Sequence, residues 1–350
     1  MDINTVRSLR MYLTGWRQPV VLRMSKLQLV GSQWRKYDET PLNEIGLNEV
    51  PETSYSDFTV AVVNIEENSG GADKIPYVVP PGINRDRDNT TIINRQQNEQ
   101  SLQVCVDDLA DKDARAVFKN TTIDLINYGR IQMFFHAEEY QGKTLQDDEM
   151  TAFLRIGTQG NDQYYEIEVP LKVTPQTANT AEEIWPELNE IDLSIDELLG
   201  IKSERNRGGF SETTVYSTPS NDGRYKLSIK GNPDMSSIQT LMIGVRNPAS
   251  DDGAPKSVCI WANELRVTDF DKKRGWAGKA RMSAKLADVA TVSASTSYTS
   301  IGFGGIQQTI QQRTREETTR YDVTANVNID KFLFPEKTGL KVPMLVSMEK

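Results

Sequence analysis

The chain has 350 residues, with 40 Lys and Arg against 49 Asp and Glu, one His and two Cys. That length suits two or three domains. The acidic balance leaves no electrostatic footprint for nucleic acid, and no run approaches the roughly 18 apolar residues of a membrane-spanning helix.

The first thirty residues do not read as a secretory leader, because Arg7, Arg10, Arg17 and Arg23 break every apolar run. LRMYLTGW (9–16) and VVLRMSKLQLV (20–30) read instead as two strands joined at RQP. From Glu39 to Gln100 the chain is rich in Asn, Pro, Gly and charge, and FTVAVVNIE (58–66) stands out as a single strand. The paired prolines and polar run of VPPGINRDRDNTTIINRQQNEQ mark an exposed connection and a domain boundary near residue 80.

SLQVCVDDL follows as a strand, then a helical or coil patch around Asp111–Phe118, then the strand RIQMFFHAE (130–138). MTAFLRIG (150–157) and QYYEIEVPLKV (163–173) form a hairpin across TQGND, whose Gly and Asn suit positive φ. In its second arm Tyr165, Ile167, Val169 and Leu171 share one face, opposite Tyr164, Glu166, Glu168 and Lys172. IDLSIDELLGIKSERNR (191–207) is the best helix, with Ile191, Ile195, Leu198, Leu199 and Ile201 near helical spacing. RYKLSIKGNP, SIQTLMIGVRNP and SVCIWANELRVTDFD complete an all-β unit ending near Asp271.

A weak repeat runs through these segments. Laying 9–30 on LMIGVRNP…VCIWANELRV matches Val20 to Val258, Leu22 to Ile260, Leu27 to Leu265 and Leu29 to Val267. The expectation is a chain that begins inside one β-sandwich and then contains a complete second one. The expected domains are 1–38, the last strands of a truncated sandwich; 39–80, a linker with one strand; 81–271, a complete jelly-roll-like sandwich; and 272–350.

After Trp276 the texture changes. Ala280, Met282, Ala284 and Leu286 alternate with polar residues, as do Ala290, Val292, Ala294, Thr296 and Tyr298. YDVTANVNID (321–330) is unbroken period two: Tyr321, Val323, Ala325, Val327 and Ile329 against Asp322, Thr324, Asn326, Asn328 and Asp330. Leu340, Val342, Met344, Val346 and Met348 alternate in turn. Such strands serve a soluble sandwich or a bilayer equally well. Two features favour lipid: the apolar positions include many alanines, poor filling for a core, and the connection 300–320 is long. Tyr298, Phe303, Tyr321, Phe332 and Phe334 fall near the strand ends, where interfacial aromatics belong. Four strands cannot close a barrel, so a larger assembly is expected.

Candidate sites are sparse. Cys105 and Cys259 serve either as buried inert thiols or as a disulfide closing a long loop. His136 stands in FFHAEE beside Glu138 and Glu139, an acid–base pattern with no nucleophile motif near it. Phe134, Phe135, Tyr164, Tyr165, Trp185 and Trp261 could line a sugar platform or fill a core. The clusters DDLADKD (107–113), LQDDE (145–149) and SDDG (250–253) lack the spacing of a calcium loop. IGFGG, with Gly302, Gly304 and Gly305, has no Lys-Ser/Thr after it and no βαβ context for phosphate. No cofactor is expected, and neither metal nor catalytic residues are assigned.

RIQMFFHAEE, AFLRIGTQGNDQYYEIEVPLKV, IWPELNEIDL, LMIGVRNPASDDG, CIWANELRVTDFDKKRGWAGKARMSAKLADVATVSAS and YTSIGFGGIQQ together resemble the SprA/Sov family of Bacteroidota. The match runs from about residue 5 to the end, with the motifs in order. The resemblance implies a large outer-membrane β-barrel, the translocon of type IX secretion and gliding motility, with soluble β domains inserted between barrel strands. It further implies secreted cargo proteins, other outer-membrane and periplasmic components of the system and outer-membrane lipid as partners. The sandwich would then lie at the cell surface or on the periplasmic side. A whole member is several times longer than this chain, which reads as an internal piece.

Overall fold

The computed structural model describes residues 33–37, 57–70, 74–85, 87–88, 95–159, 162–271, 275–308, 312–314, 316–333 and 341–350. The first copy of the expected repeat, 9–30, lies outside them. In chain order the strands are β1 (Arg35–Lys36), β2 (Asp57–Asn64), β3 (Arg87–Asp88), β4 (Arg95–Gln96), β5 (Gln100–Leu109), β6 (Ala114–Ile123), β7 (Arg130–Glu139), β8 (Thr151–Gln159) and β9 (Gln163–Pro170). The short helix α1 (Ala181–Ile184), β10 (Ile191–Ser194), α2 (Ile195–Arg207), β11 (Tyr216–Pro219), β12 (Lys226–Lys230), β13 (Ile238–Arg246) and β14 (Lys256–Thr268) follow. The chain continues through β15 (Ala277–Leu286), β16 (Ala290–Thr299), β17 (Thr318–Asn328), α3 (Asp330–Leu333) and β18 (Pro343–Glu349).

The protein is mainly β, and its named strand pairs are antiparallel. A seven-stranded sheet runs β1-β6-β13-β8-β9-β12-β11, and a five-stranded sheet runs β10-β7-β14-β5-β2. The two share one core. Val104, Val106, Met133, Phe135, Val258 and Ile260 come from the five-stranded sheet and meet Leu154, Ile167, Val169 and Ile243 from the other. Alternation sets which side chains arrive there: Tyr165, Ile167 and Val169 belong to the core, while Tyr164, Glu166 and Glu168 occupy the opposite face of β9.

On that outer face, Arg155 donates to Glu166 at 2.8 and 2.6 Å, and Arg246 reaches both Glu166 and Glu168. All four side chains are buried. Beside them Phe153 packs over Gly244, where an added Cβ would stand 2.5 Å from the ring and 2.5 Å from the Arg115 carbonyl. The glycine lets β13 and β6 pair with no side chain in the way.

Two local expectations are corrected. Residues 114–118 belong to β6 rather than to a helix or coil, because Val117 enters the main core while Ala114 and Ala116 pack on Phe153 and Met242 behind the sheet. Ile191–Ser194 leaves the helical pattern to pair with β7, burying Ile191 and Leu193; α2 begins only at Ile195. There Asp196 and Glu197 in the first turn, and Arg205 and Arg207 in the last, complement the helix dipole. β2, the strand expected within 39–80, pairs with β5 along its whole length, and Phe58 enters the core.

The remaining sheet, β15-β16-β17-β18, is a separate four-stranded meander. Among the described residues no helix is long and apolar enough to cross a membrane, which says nothing about strands.

Candidate membrane-facing surface

Pairing register decides what the C-terminal alternation becomes. Leu286, Ala290, Val327 and Met344 fall in one cross-strand row. Ala284, Val292, Ala325 and Val346 form the next, and Met282, Ala294, Val323 and Met348 the one after. Side chains in a row share a face, so twelve apolar residues from four strands make one continuous surface. The opposite face carries Ser283, Ser293, Thr324 and Ser347 in one row, and Arg281, Ser295, Asp322 and Glu349 in another. Leu345 is the exception, an apolar side chain on the polar face.

No described residue of β15–β18 is buried. Met282 is 62% exposed and Met348 68%. A sheet without a packed layer on either face is not stable in water by itself, since its apolar side gains nothing by forming. Strands of ten and eleven residues in β15–β17, at about 3.4 Å per residue and a tilt near 45°, rise roughly 25 Å, the height of a barrel's apolar band.

One end of this face is aromatic. Tyr321 stands in the row with Ala280 and Thr296. Tyr298 lies one row further out, with its ring 4.4 Å from that of Trp276. The loop after β16 folds back over the same end: Ser300 N–H donates to Trp276 O at 2.9 Å, and a Cβ on Gly275 would collide with the backbone of Phe303. Gly302 there has φ 81°, so this glycine of IGFGG serves a turn at the strand end. Ile329 lies just past β17, its N–H donating to Val342 O at 3.0 Å. The side chain of Phe332, and Phe334 and Leu340 altogether, fall outside the described residues.

The sandwich treats its expected site residues differently. Phe135 and Tyr165 are in the main core, and Phe134, Trp185 and Trp261 form a second cluster with Val63, Ile75 and Tyr77 over the five-stranded sheet. Tyr164 is buried with the Arg155 guanidinium 3.9 Å from its ring centre. All six aromatics are therefore buried, and none is available to stack on a sugar.

His136 is fully buried and stacked on Trp261 at 3.9 Å. Its Nδ1 is 2.8 Å from the Ile184 carbonyl, so that nitrogen carries the proton. Burial lowers its pKa to about 4, against the opposing pull of that bond. Glu138, two positions along the same strand, is pushed up to about 7 by burial, which the charge of Lys74 only partly offsets. The Thr174 hydroxyl lies 3.1 Å from the same Nδ1 of His136, and both side chains are buried inside the domain. Cys105 and Cys259 are partners in the β5–β14 register and are joined as a disulfide.

The acidic clusters are occupied by lysines. Lys143 pairs with Asp107 and Asp108, Lys172 with Asp147 and Asp148, and Lys256 with Glu149 and Asp252. Among the described residues no group of three His, Cys, Asp or Glu side chains converges as a metal site would. Burial is what a sandwich most often does with its aromatics; the lysine partners were not legible in the sequence, because they depend on which strands become neighbours.

The SprA_N family model, described as motility related/secretion protein, matches residues 1–350. The chain belongs to that family. No curated protein matches it. Membership in SprA_N assigns a role in motility and secretion and fits a place in the cell envelope, and the family is described by no enzymatic activity. Within it, the exposed apolar face of β15–β18 and the aromatic end beside it are the features that call for a partner.

Proposed function

We propose that this chain supplies part of the wall of an outer-membrane β-barrel through which protein is exported in type IX secretion and gliding motility. In this reading β15–β18 cross the bilayer, with Ala290, Val292, Ala294, Tyr321, Val323, Ala325 and Val327 toward lipid and the Ser, Thr and charged rows toward the pore. The sandwich is a soluble domain inserted before them. The single observation that carries the reading is an apolar face of four register-aligned strands on which, among the described residues, no buried layer is packed.

The strand order also supports a jelly roll. β5 with β14, β6 with β13, β7 with β10 and β8 with β9 are four nested antiparallel pairs distributed over two sheets, the pattern of one long hairpin rolled up. β11 and β12 extend the seven-stranded sheet beyond it. The domain restricts or guides passage beside the pore, and no chemical step is required of it. Secreted cargo proteins and other envelope components of the secretion system are the partners this role needs.

The test is fractionation of source cells with an antibody against residues 100–270, combined with cysteine scanning. A detergent-requiring outer-membrane band is expected, with a lipid-soluble maleimide labelling Ala325→Cys and a water-soluble one labelling Thr324→Cys. A band released without detergent, or equal labelling of both positions by the water-soluble reagent, overturns the proposal.

A further inference from the structure

We infer that the free edge of β2 is a docking site for an extended peptide strand from another polypeptide. This stands independently of whether β15–β18 lie in lipid.

An exposed sheet edge presents unpaired N–H and C=O groups, and proteins guard such edges by keeping them short, bulged, charged or interrupted by proline. Three of the sandwich's four described edges are guarded. β1 has two residues, β10 has four and runs straight into α2, and β11 has four and ends in Pro219. β2 differs. It has eight residues, DFTVAVVN, no charge after Asp57, no proline and an unbroken register with β5.

Which of its groups face outward follows from the hydrogen bonds. Lys36 Nζ donates to the Phe58 carbonyl, and Asn64 N–H donates to Asn68 Oδ1 at 3.0 Å. Asn64 O accepts from Asn68 N–H at 3.0 Å. Phe58 and Asn64 thus turn their backbone away from β5. In an antiparallel ladder alternate residues do so, which adds Val60 and Val62. Among the described residues nothing pairs with the outward groups of those two valines. Among the described residues the edge is stoppered at both ends and open in the middle, a window of four hydrogen-bonding groups.

The occupant's chemistry follows from what surrounds the window. Val60 packs at the margin of the main core, and Val62 is 39% exposed. An added strand would place apolar side chains beside both and continue the core. Lys36 stands at the Phe58 end, and Glu67 follows at the other. A strand with an apolar centre, acidic at one end and basic at the other, complements that order of charge.

The probe is a capped heptapeptide of alternating valine and threonine with glutamate at one end and lysine at the other, added to the whole chain in detergent micelles. Hydrogen exchange read by mass spectrometry should show new protection across 57–64, and fluorescence anisotropy should give micromolar binding. Val62→Pro removes an outward N–H and leaves the β5 ladder intact; it should weaken binding at least tenfold with the thermal midpoint held. A peptide with lysine at both ends should bind more weakly. Absence of binding to the wild type overturns the inference, as does binding that Val62→Pro leaves unchanged. Protection of Val60 and Val62 before the peptide is added also sinks it, since the edge would already be covered.

Discussion

Cys105 and Cys259 face each other across β5 and β14, 154 positions apart in sequence. Phe58 turns away from β5, so its partner Val106 bonds toward β14, and Cys105 beside it falls in the wide, non-hydrogen-bonded pairing with Cys259. Those pairs bring Cα atoms closest in an antiparallel sheet. The bond ties together two strands that lie near opposite ends of the sandwich's sequence.

Removing it should be costly. A loop of this length corresponds to roughly 3–5 kcal/mol of unfolded-state entropy. The double variant Cys105→Ser/Cys259→Ser is expected to lose that much stability, seen as a fall in thermal midpoint that reducing agent reproduces in the wild type. Mass mapping under non-reducing conditions should recover the two cysteine peptides joined; free thiols at both positions would end the idea.

The apolar face of the C-terminal sheet makes a one-sided prediction. Ala325→Arg puts a charge in the middle row of that face, where a bilayer penalises it by about 2–4 kcal/mol. If β15–β18 cross the bilayer as proposed, it should deplete the protein from the outer membrane. Ser293→Arg, on the opposite face in the neighbouring strand, should assemble normally. Equal loss from both would show that the two faces are not differently solvated.

His136 and Glu138 set opposing pH dependences. The histidine's folded value, about 4, lies below the ordinary 6.5, so its contribution is complete above pH 6.5 and is lost as pH falls toward 4. The folded value of Glu138, about 7, lies above 4.5, so its contribution is complete below pH 4.5 and is lost as pH rises toward 7. Each amounts to on the order of 3 kcal/mol, and between pH 4.5 and 6.5 they cancel. Glu138→Gln should therefore stabilise the protein at pH 8, leave it unchanged at pH 4, and expose a rise in stability from pH 4 to 6.5. Thermal midpoints across that range decide it, and a flat profile in the variant would refute the assignment.

Glu166 tests the ionic network behind the seven-stranded sheet. Burial alone would raise its pKa, but Arg246 and Arg155 hold it down to about 2. Breaking such a buried network by removing one partner costs about 3–5 kcal/mol. Glu166→Ala should show that loss in chemical denaturation; Ser217→Ala, which breaks only the hydroxyl pair with Ser228 at the β11 edge of the same face, should cost about 1 kcal/mol.

Much of the fold was legible because half-buried strands have a period of two. QYYEIEVP sorts its own faces, and YDVTANVN does the same. The segments that misled are those where a neighbour overrode local pattern. IDLS looks helical until β7 offers its edge, and ARAVF is read correctly only when Phe153 and Met242 are known to lie behind it. The six aromatics carry no mark of burial in their spacing, since Phe134 and Phe135 are adjacent in sequence yet enter different clusters.

The sequence by itself determined that this is a mainly β protein of the SprA/Sov kind, and which residues of each strand are apolar. Only the tertiary structure decided what those residues touch. Alternation is a property of one strand, whereas a face is a property of several, set by register: Val323 becomes part of a surface only once Ala294 and Met348 stand beside it. The same reason explains Cys105 and Cys259, and the lysines on the acidic turns. Each depends on distant segments becoming neighbours through backbone pairing, which a single strand's pattern does not encode.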